Sequence, residues 1–240
     1  MKNAHFLLLI VFISVSCVAS AAEKKDTVKV RDFLEFGLSV GYGDYKMEYL
    51  KEIDELIKKN CVNPDPISEF GYEPYFMFEG LFNFTKNVRG GFILGYRSTR
   101  SEFNYDKNNI KSGGKGFIDA SSIVLAAQLE YKALDLDVFQ IWLHGELGAN
   151  GNIVDIDTDP TGGVSGLNGY YFHFFETNFV AAQLKFATVV NDFEFSFRGG
   201  YTYDITTKSI TYSNYGTFVE ESATDWTGVN LVLTATYKFR

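Results

Sequence analysis

Residues 34–42 read Leu34-Glu-Phe-Gly-Leu-Ser-Val-Gly-Tyr42. Leu34, Phe36, Leu38, Val40 and Tyr42 share one parity, and Glu35, Gly37, Ser39 and Gly41 share the other. Successive side chains of a strand point to opposite faces, so this stretch presents one oily face and one small or polar face. The pattern returns along the chain. Phe76, Phe78, Phe82 and Phe84 oppose Glu79 and Asn83, and Phe92, Leu94 and Tyr96 oppose Arg89, Gly91, Gly95 and Arg97. Ile123, Leu125, Ala127, Leu129 and Tyr131 oppose Ser122, Gln128 and Glu130; Phe139, Ile141, Leu143 and Leu147 oppose Gln140, His144 and Glu146. Val180, Ala182, Leu184 and Phe186 oppose Gln183 and Lys185. Phe193, Phe195, Phe197, Tyr201 and Tyr203 oppose Glu194, Ser196, Arg198, Thr202 and Asp204. Val229, Leu231, Leu233, Ala235, Tyr237 and Phe239 oppose Asn230, Thr234, Thr236 and Lys238. Counted together these are eight candidate strands, each about the 9–11 residues that cross a bilayer at a tilt.

The connections alternate as well. Long polar stretches at 44–72, 98–116, 152–169 and 206–224 follow the odd strands; short ones at 85–87, 132–137 and 189–192 follow the even strands. Long loops on one side and tight turns on the other are how bacterial outer-membrane barrels are arranged. That rule places 98–116, 152–169 and 206–224 outside the cell, and 85–87 and 132–137 in the periplasm. An even strand number lets the sheet close, and closure is required in lipid because an open edge would leave backbone groups unpaired.

Composition agrees. The 240 residues carry a net charge of −8, which disfavours a nucleic-acid binder, and 17% aromatics with only 4 prolines, which disfavours a disordered chain. A mean hydropathy of −0.07 excludes a bundle of membrane helices but not a barrel, which averages an oily face with a wet one. At the start, Lys2 precedes the apolar run 6–13, extended by Val15 to Val18, and Ala19-Ser20-Ala21 supplies a small-x-small cleavage pattern. Residues 1–21 read as an export signal, 22–31 as a short periplasmic segment and 32–240 as the barrel. Cys17 lies in the signal with Ser14 where a lipoprotein wants an aliphatic residue, so Cys61 is left as a lone cysteine and no internal disulfide is expected.

The arrangement resembles the eight-stranded outer-membrane barrel families: the OmpA transmembrane domain, OmpX, OmpW and related outer membrane protein beta-barrel domains. The resemblance implies an all-β, antiparallel, up-and-down transmembrane barrel in the outer membrane of a Gram-negative-type bacterium. It implies a monomer surrounded by outer-membrane and lipopolysaccharide-type lipids, with no cofactor and no nucleic-acid partner, and with long loops free to meet an extracellular partner. The ending Leu231-Val-Leu-Thr-Ala-Thr-Tyr-Lys-Phe239 resembles the terminal strand that barrel-assembly machinery recognises, with Tyr237 and Phe239 as its aromatics and Arg240 following where the aromatic is normally last. A periplasmic lipocalin-like ligand carrier shares the strand count but keeps its oily face inside.

The inward parity carries Glu79, Arg89, Arg97, Glu130, His144, Glu146, Lys185, Glu194 and Arg198, with Glu35 and Lys238 at its margins. Charges inside a narrow barrel must pair, so these read as a salt-bridged plug, the alternative being a narrow path for ions or small solutes. His144-Gly145-Glu146 puts His and Glu on one face, but no serine follows at a deacylase-like spacing, and no enzymatic activity is expected. Leu50, Ile53 and Ile57 share one helical face, so the first long loop is expected to hold a short amphipathic helix over 46–60, resting on the barrel rim. Asp155-x-Asp157-x-Asp159 resembles the opening of a calcium loop, but Pro160 stands where that motif needs Gly and Gly166 where it needs Glu, so the stretch reads as a solvated acidic loop and no metal is assigned.

Overall fold

Alternation of this length gives strands that pair only with their neighbours until the last meets the first. The computed structural model describes residues 34–107, 110–136, 138–158, 169–205 and 225–239. The expected export signal 1–21, the segment 22–31 and the loop 206–224 lie outside them. The elements are β1 (Leu34–Tyr45), α1 (Glu48–Asn60), β2 (Val62–Ser68), β3 (Tyr72–Asn83), β4 (Val88–Lys107), β5 (Ile110–Leu136), β6 (Phe139–Thr158), β7 (Gly169–Val190), β8 (Phe193–Asp204) and β9 (Gly228–Lys238). β1 pairs antiparallel with β3 on one side and with β9 on the other, the latter through Glu35↔Lys238, Leu38↔Ala235 and Tyr45↔Gly228. Sequential pairings from β3 to β9 complete a closed eight-stranded antiparallel barrel, with β2 standing outside the ring and paired to β4.

The faces decide which solvent the barrel is built for. Leu38 is 70% exposed and Leu125 61%, whereas Glu79, Glu130 and Arg198 are fully buried. A soluble carrier would bury the leucines, so the lipocalin-like alternative fails here; only hydrocarbon accepts this outer surface. The barrel is transmembrane. Inward glycines make room for rings: a Cβ on Gly41 would fall 2.0 Å from the Tyr75 ring, and one on Gly116 2.5 Å from the Phe103 ring.

Strand lengths depart from expectation. β1, β3, β8 and β9 have 11 or 12 residues, but β4, β5, β6 and β7 have 20, 27, 20 and 22. The expected loop at 98–116 is instead mostly hairpin, paired from Ser98↔Ser121 to Lys107↔Ile110, and β6 runs to Thr158 where a loop was expected from 152. At the other end β5 continues to Leu136, leaving a tighter turn than 132–137. The four long strands form a wall that continues about 30 Å along β4 beyond Arg97, at roughly 3.3 Å per residue.

In that wall the faces exchange chemistry. Outward positions turn polar (Arg100, Glu102, Asn104, Lys115, Asp119), while inward Phe103, Tyr105, Ile118, Val154 and Ile156 are buried and apolar. One strand thus runs from an oil-facing segment into a water-facing one with its side-chain alternation unbroken. The apolar interior is capped by α1 and the residue before it: Met47, Leu50 and Ile57 are at most 2% exposed and belong to the same core. Glu48 in the first turn and Lys58 and Lys59 in the last suit the helix dipole. Asp54 pins the helix to β4: its Oδ2 accepts from Lys58 Nζ at 2.7 Å and from Ser101 Oγ at 2.9 Å. The expected helix is therefore present, and it is seated in the mouth, deeper than a helix resting on the rim.

Cys61 follows α1, half-buried against that core, and burial pushes its thiol pKa up. Leu50→Asp should unseat the helix and leave the membrane barrel intact. Alkylation of Cys61 in folded protein should then accelerate about tenfold as the thiol is re-exposed, with the heat-dependent gel shift of the barrel unchanged. An unchanged alkylation rate would show that α1 is not held by this face.

Candidate functional site

Inward parity brings at least one charge from every barrel strand into a single network that starts near the turn end of the lumen. Arg89 is its hub. Its Nη1 and Nη2 reach Glu194 at 2.8 and 2.6 Å, Nη1 reaches Glu35 at 3.1 Å, and Nε bonds Glu130. Lys185 Nζ lies 3.1 Å from both Glu130 and Glu194, and Lys238 Nζ 3.3 Å from Glu194 and 3.9 Å from Glu35. Higher in the lumen Arg198 Nη1 lies 2.7 Å from Glu79, with Nη2 3.9 Å from Glu146. His144 joins the two groups, with Nδ1 2.8 Å from Glu130 and Nε2 2.8 Å from Glu146. Ser39 donates to Glu79 and lies 2.7 Å from Thr234.

The layout answers a specific strain. Lys185 and Arg198 sit directly opposite each other on β7 and β8. Like charges so placed repel, and the carboxylates on either side are what hold them. A Trp closes the layer toward the turns: the Trp142 ring has Arg89 4.1 Å from its centroid and Lys132 at 5.1 Å.

Arg97, expected within this network, lies elsewhere. Its guanidinium is 4.2 Å from the Trp226 ring, 5.3 Å from Tyr45 and 5.9 Å from Phe179, a cation among aromatic faces one layer up. Trp226 is held there by its indole, which donates to Asn152 at 2.8 Å, and by its backbone N–H, which donates to Asp204 at 2.8 Å. From the turn end upward the lumen therefore holds a charged layer, an arginine–aromatic layer and the apolar core under α1.

Two other groups fall differently. Asp155 and Asp157 are alternate residues of β6, paired across from Asp119 and Phe117, so that stretch is strand and not a loop that could wrap a cation; Asp159 lies outside the described residues. Among the described residues no three His, Cys, Asp or Glu side chains gather as metal ligands. Tyr237 and Phe239 form an outward aromatic chain with neighbours on both sides of β9: Phe239 stacks edge-on with Phe36 at 5.5 Å, and Tyr237 lies 5.2 Å from Phe193.

The sequence singled out neither Trp142 nor Trp226, and gave Asp204 only as an inward residue of its strand. The signal available was the inward parity itself, on which Trp142 falls between Gln140 and His144 and Trp226 falls two residues before β9.

No family model and no curated protein matches the chain. Solved structures of similar architecture include Neisserial surface protein A, with a TM-score of 0.47 and 10% identity over 86% of this chain and 97% of that one. The outer membrane protein OprG from Pseudomonas aeruginosa gives 0.48 and 14% over 87% and 96%, and Ail of Yersinia pestis 0.42 and 15% over 85% and 98%. Each is a likeness of architecture at low identity.

Truncating the hub should be costly. Arg89→Ala removes the cation shared by Glu35, Glu130 and Glu194, leaves the buried layer short of positive charge and should lower the unfolding free energy by about 3–5 kcal/mol. Arg100→Ala removes an exposed partner of Asp119 and should cost under about 1 kcal/mol. Urea unfolding in micelles compares them, and equal costs would contradict the burial assigned to Arg89.

Proposed function

We propose that this outer-membrane barrel is a sealed, non-catalytic display scaffold, with the wall of β4–β7 projecting outside the cell and the short turns in the periplasm. The observation that carries the reading is the filled lumen. Arg89 and Trp142 occupy the turn end, Arg97 and Trp226 the middle, and α1 the mouth. An eight-stranded barrel is just wide enough for its side chains, so such a stack leaves no room for a solute path. Ser39 and His144, the groups nearest to a catalytic arrangement, are engaged with Glu79, Glu130 and Glu146 and buried. What remains to meet the surroundings is the outer face of the wall and its tips, offered to envelope components or to an extracellular partner.

Bilayer recording tests it. Purified barrel added to a planar bilayer in molar KCl should give no steady conductance, with wild-type protein and with Leu50→Asp alike, because the charged layer persists when α1 is unseated. Stable single-channel steps from the wild type would overturn the sealed reading in favour of a narrow channel.

A further inference from the structure

The charged layer has a property that sealing does not require: all eight barrel strands contribute to it. Glu35 comes from β1, Glu79 from β3, Arg89 from β4, Glu130 from β5, His144 and Glu146 from β6, Lys185 from β7, Glu194 and Arg198 from β8, and Lys238 from β9. The layer is complete only when β1 has met β9.

We propose that this layer selects the register in which β1 and β9 close the barrel. The oily pattern cannot make that selection. A one-residue slip turns every outward side chain inward and is strongly opposed, but a two-residue slip restores the alternation and keeps the oily face in lipid. Nor does a tight turn set the seam, because β1 and β9 are the two ends of the barrel's chain path. A two-residue slip moves β1 about 7 Å past β9, which parts Glu35 from Lys238 across the seam and Glu79 on the β1 side from Arg198 on the β9 side. It also parts Ser39 from Thr234, the hydroxyl contact that leads to Glu79. Each slipped state leaves buried charges without partners, and the low-dielectric lumen opposes it.

Disulfide trapping at the seam reads the register directly. With Cys17 and Cys61 replaced by serine, three proteins carry Leu38→Cys together with Ala235→Cys, Leu233→Cys or Tyr237→Cys. The first reports the observed register, Leu38↔Ala235, and the others report slips of two residues either way. Only the folded fraction, identified by its heat-dependent gel shift, is scored. With the layer intact, the in-register pair should cross-link in preference to either slipped pair by about a hundredfold, a gap that stranding one buried charge more than covers. Arg89→Met, or Glu35→Gln with Lys238→Met, should bring slipped pairs to yields within about tenfold of the in-register one. Ile93→Ala, which removes lumen packing and no charge, should leave the preference untouched. If Arg89→Met does not fold, Lys238→Met alone serves, because that side chain is 18% exposed at the turn-end margin and leaves Arg89 in place. The proposal is overturned if folded charge variants still cross-link only through Ala235, or if Ile93→Ala slips as far as they do.

Discussion

A strand alternates its side chains whatever surrounds it, so the medium on one face dictates the chemistry left for the other. In the bilayer segment the outer face is hydrocarbon, and Leu38, Phe76 and Leu125 occupy it; the polar residues of the same strands have nowhere to go but the lumen. There, in a space filled by side chains, a charge is tolerated only with a counter-ion at hand. The carboxylates around Arg89 and those around Arg198 meet that condition. Past the membrane the medium changes and the same rule gives the opposite result, with Phe103, Tyr105 and Ile156 inside and Arg100 and Glu102 outside. The outward-apolar barrel and the inward-apolar wall are two consequences of one backbone geometry.

A hydrophobic lumen of the same volume would often be as stable as an ionic one. What ions add is direction and position. A leucine in the lumen is satisfied by any neighbour, whereas Arg89 is satisfied only where Glu35, Glu130 and Glu194 stand together. Arg97 follows another solution in the layer above, where aromatic faces of Trp226, Tyr45 and Phe179 surround the cation.

Strand number and the lipid-facing parity were legible because residues such as 34–42 and 229–239 alternate over one medium from end to end. Residues 98–116 resemble a loop in sequence for a physical reason. Their apolar residues Phe103 and Ile118 fall on the parity that Arg97 and Glu130 occupy lower down, so a search for one continuous oily face ends at Tyr96. The amphipathy of α1 was legible in Leu50, Ile53 and Ile57, but its seat was not, because that seat is an apolar interior built by strands read as loops. Arg97 shared the inward parity of Arg89, and parity gives a face without giving a height. Its aromatic neighbours come from β1, from β7 and from residue 226, close only after the barrel has closed.

The change of medium along one unbroken strand is open to direct measurement on β5. Single spin labels placed from 115 to 131 in lipid-reconstituted protein can be scored against a lipid-soluble and a water-soluble relaxation agent. Labels at 123, 125, 127 and 129 should respond to the lipid-soluble agent, labels at 115, 117 and 119 to the water-soluble one, and labels at 118, 124, 126 and 128 weakly to both. Water contact at 118 and lipid contact at 117 would contradict the account, as would a loss of alternation anywhere between 115 and 121.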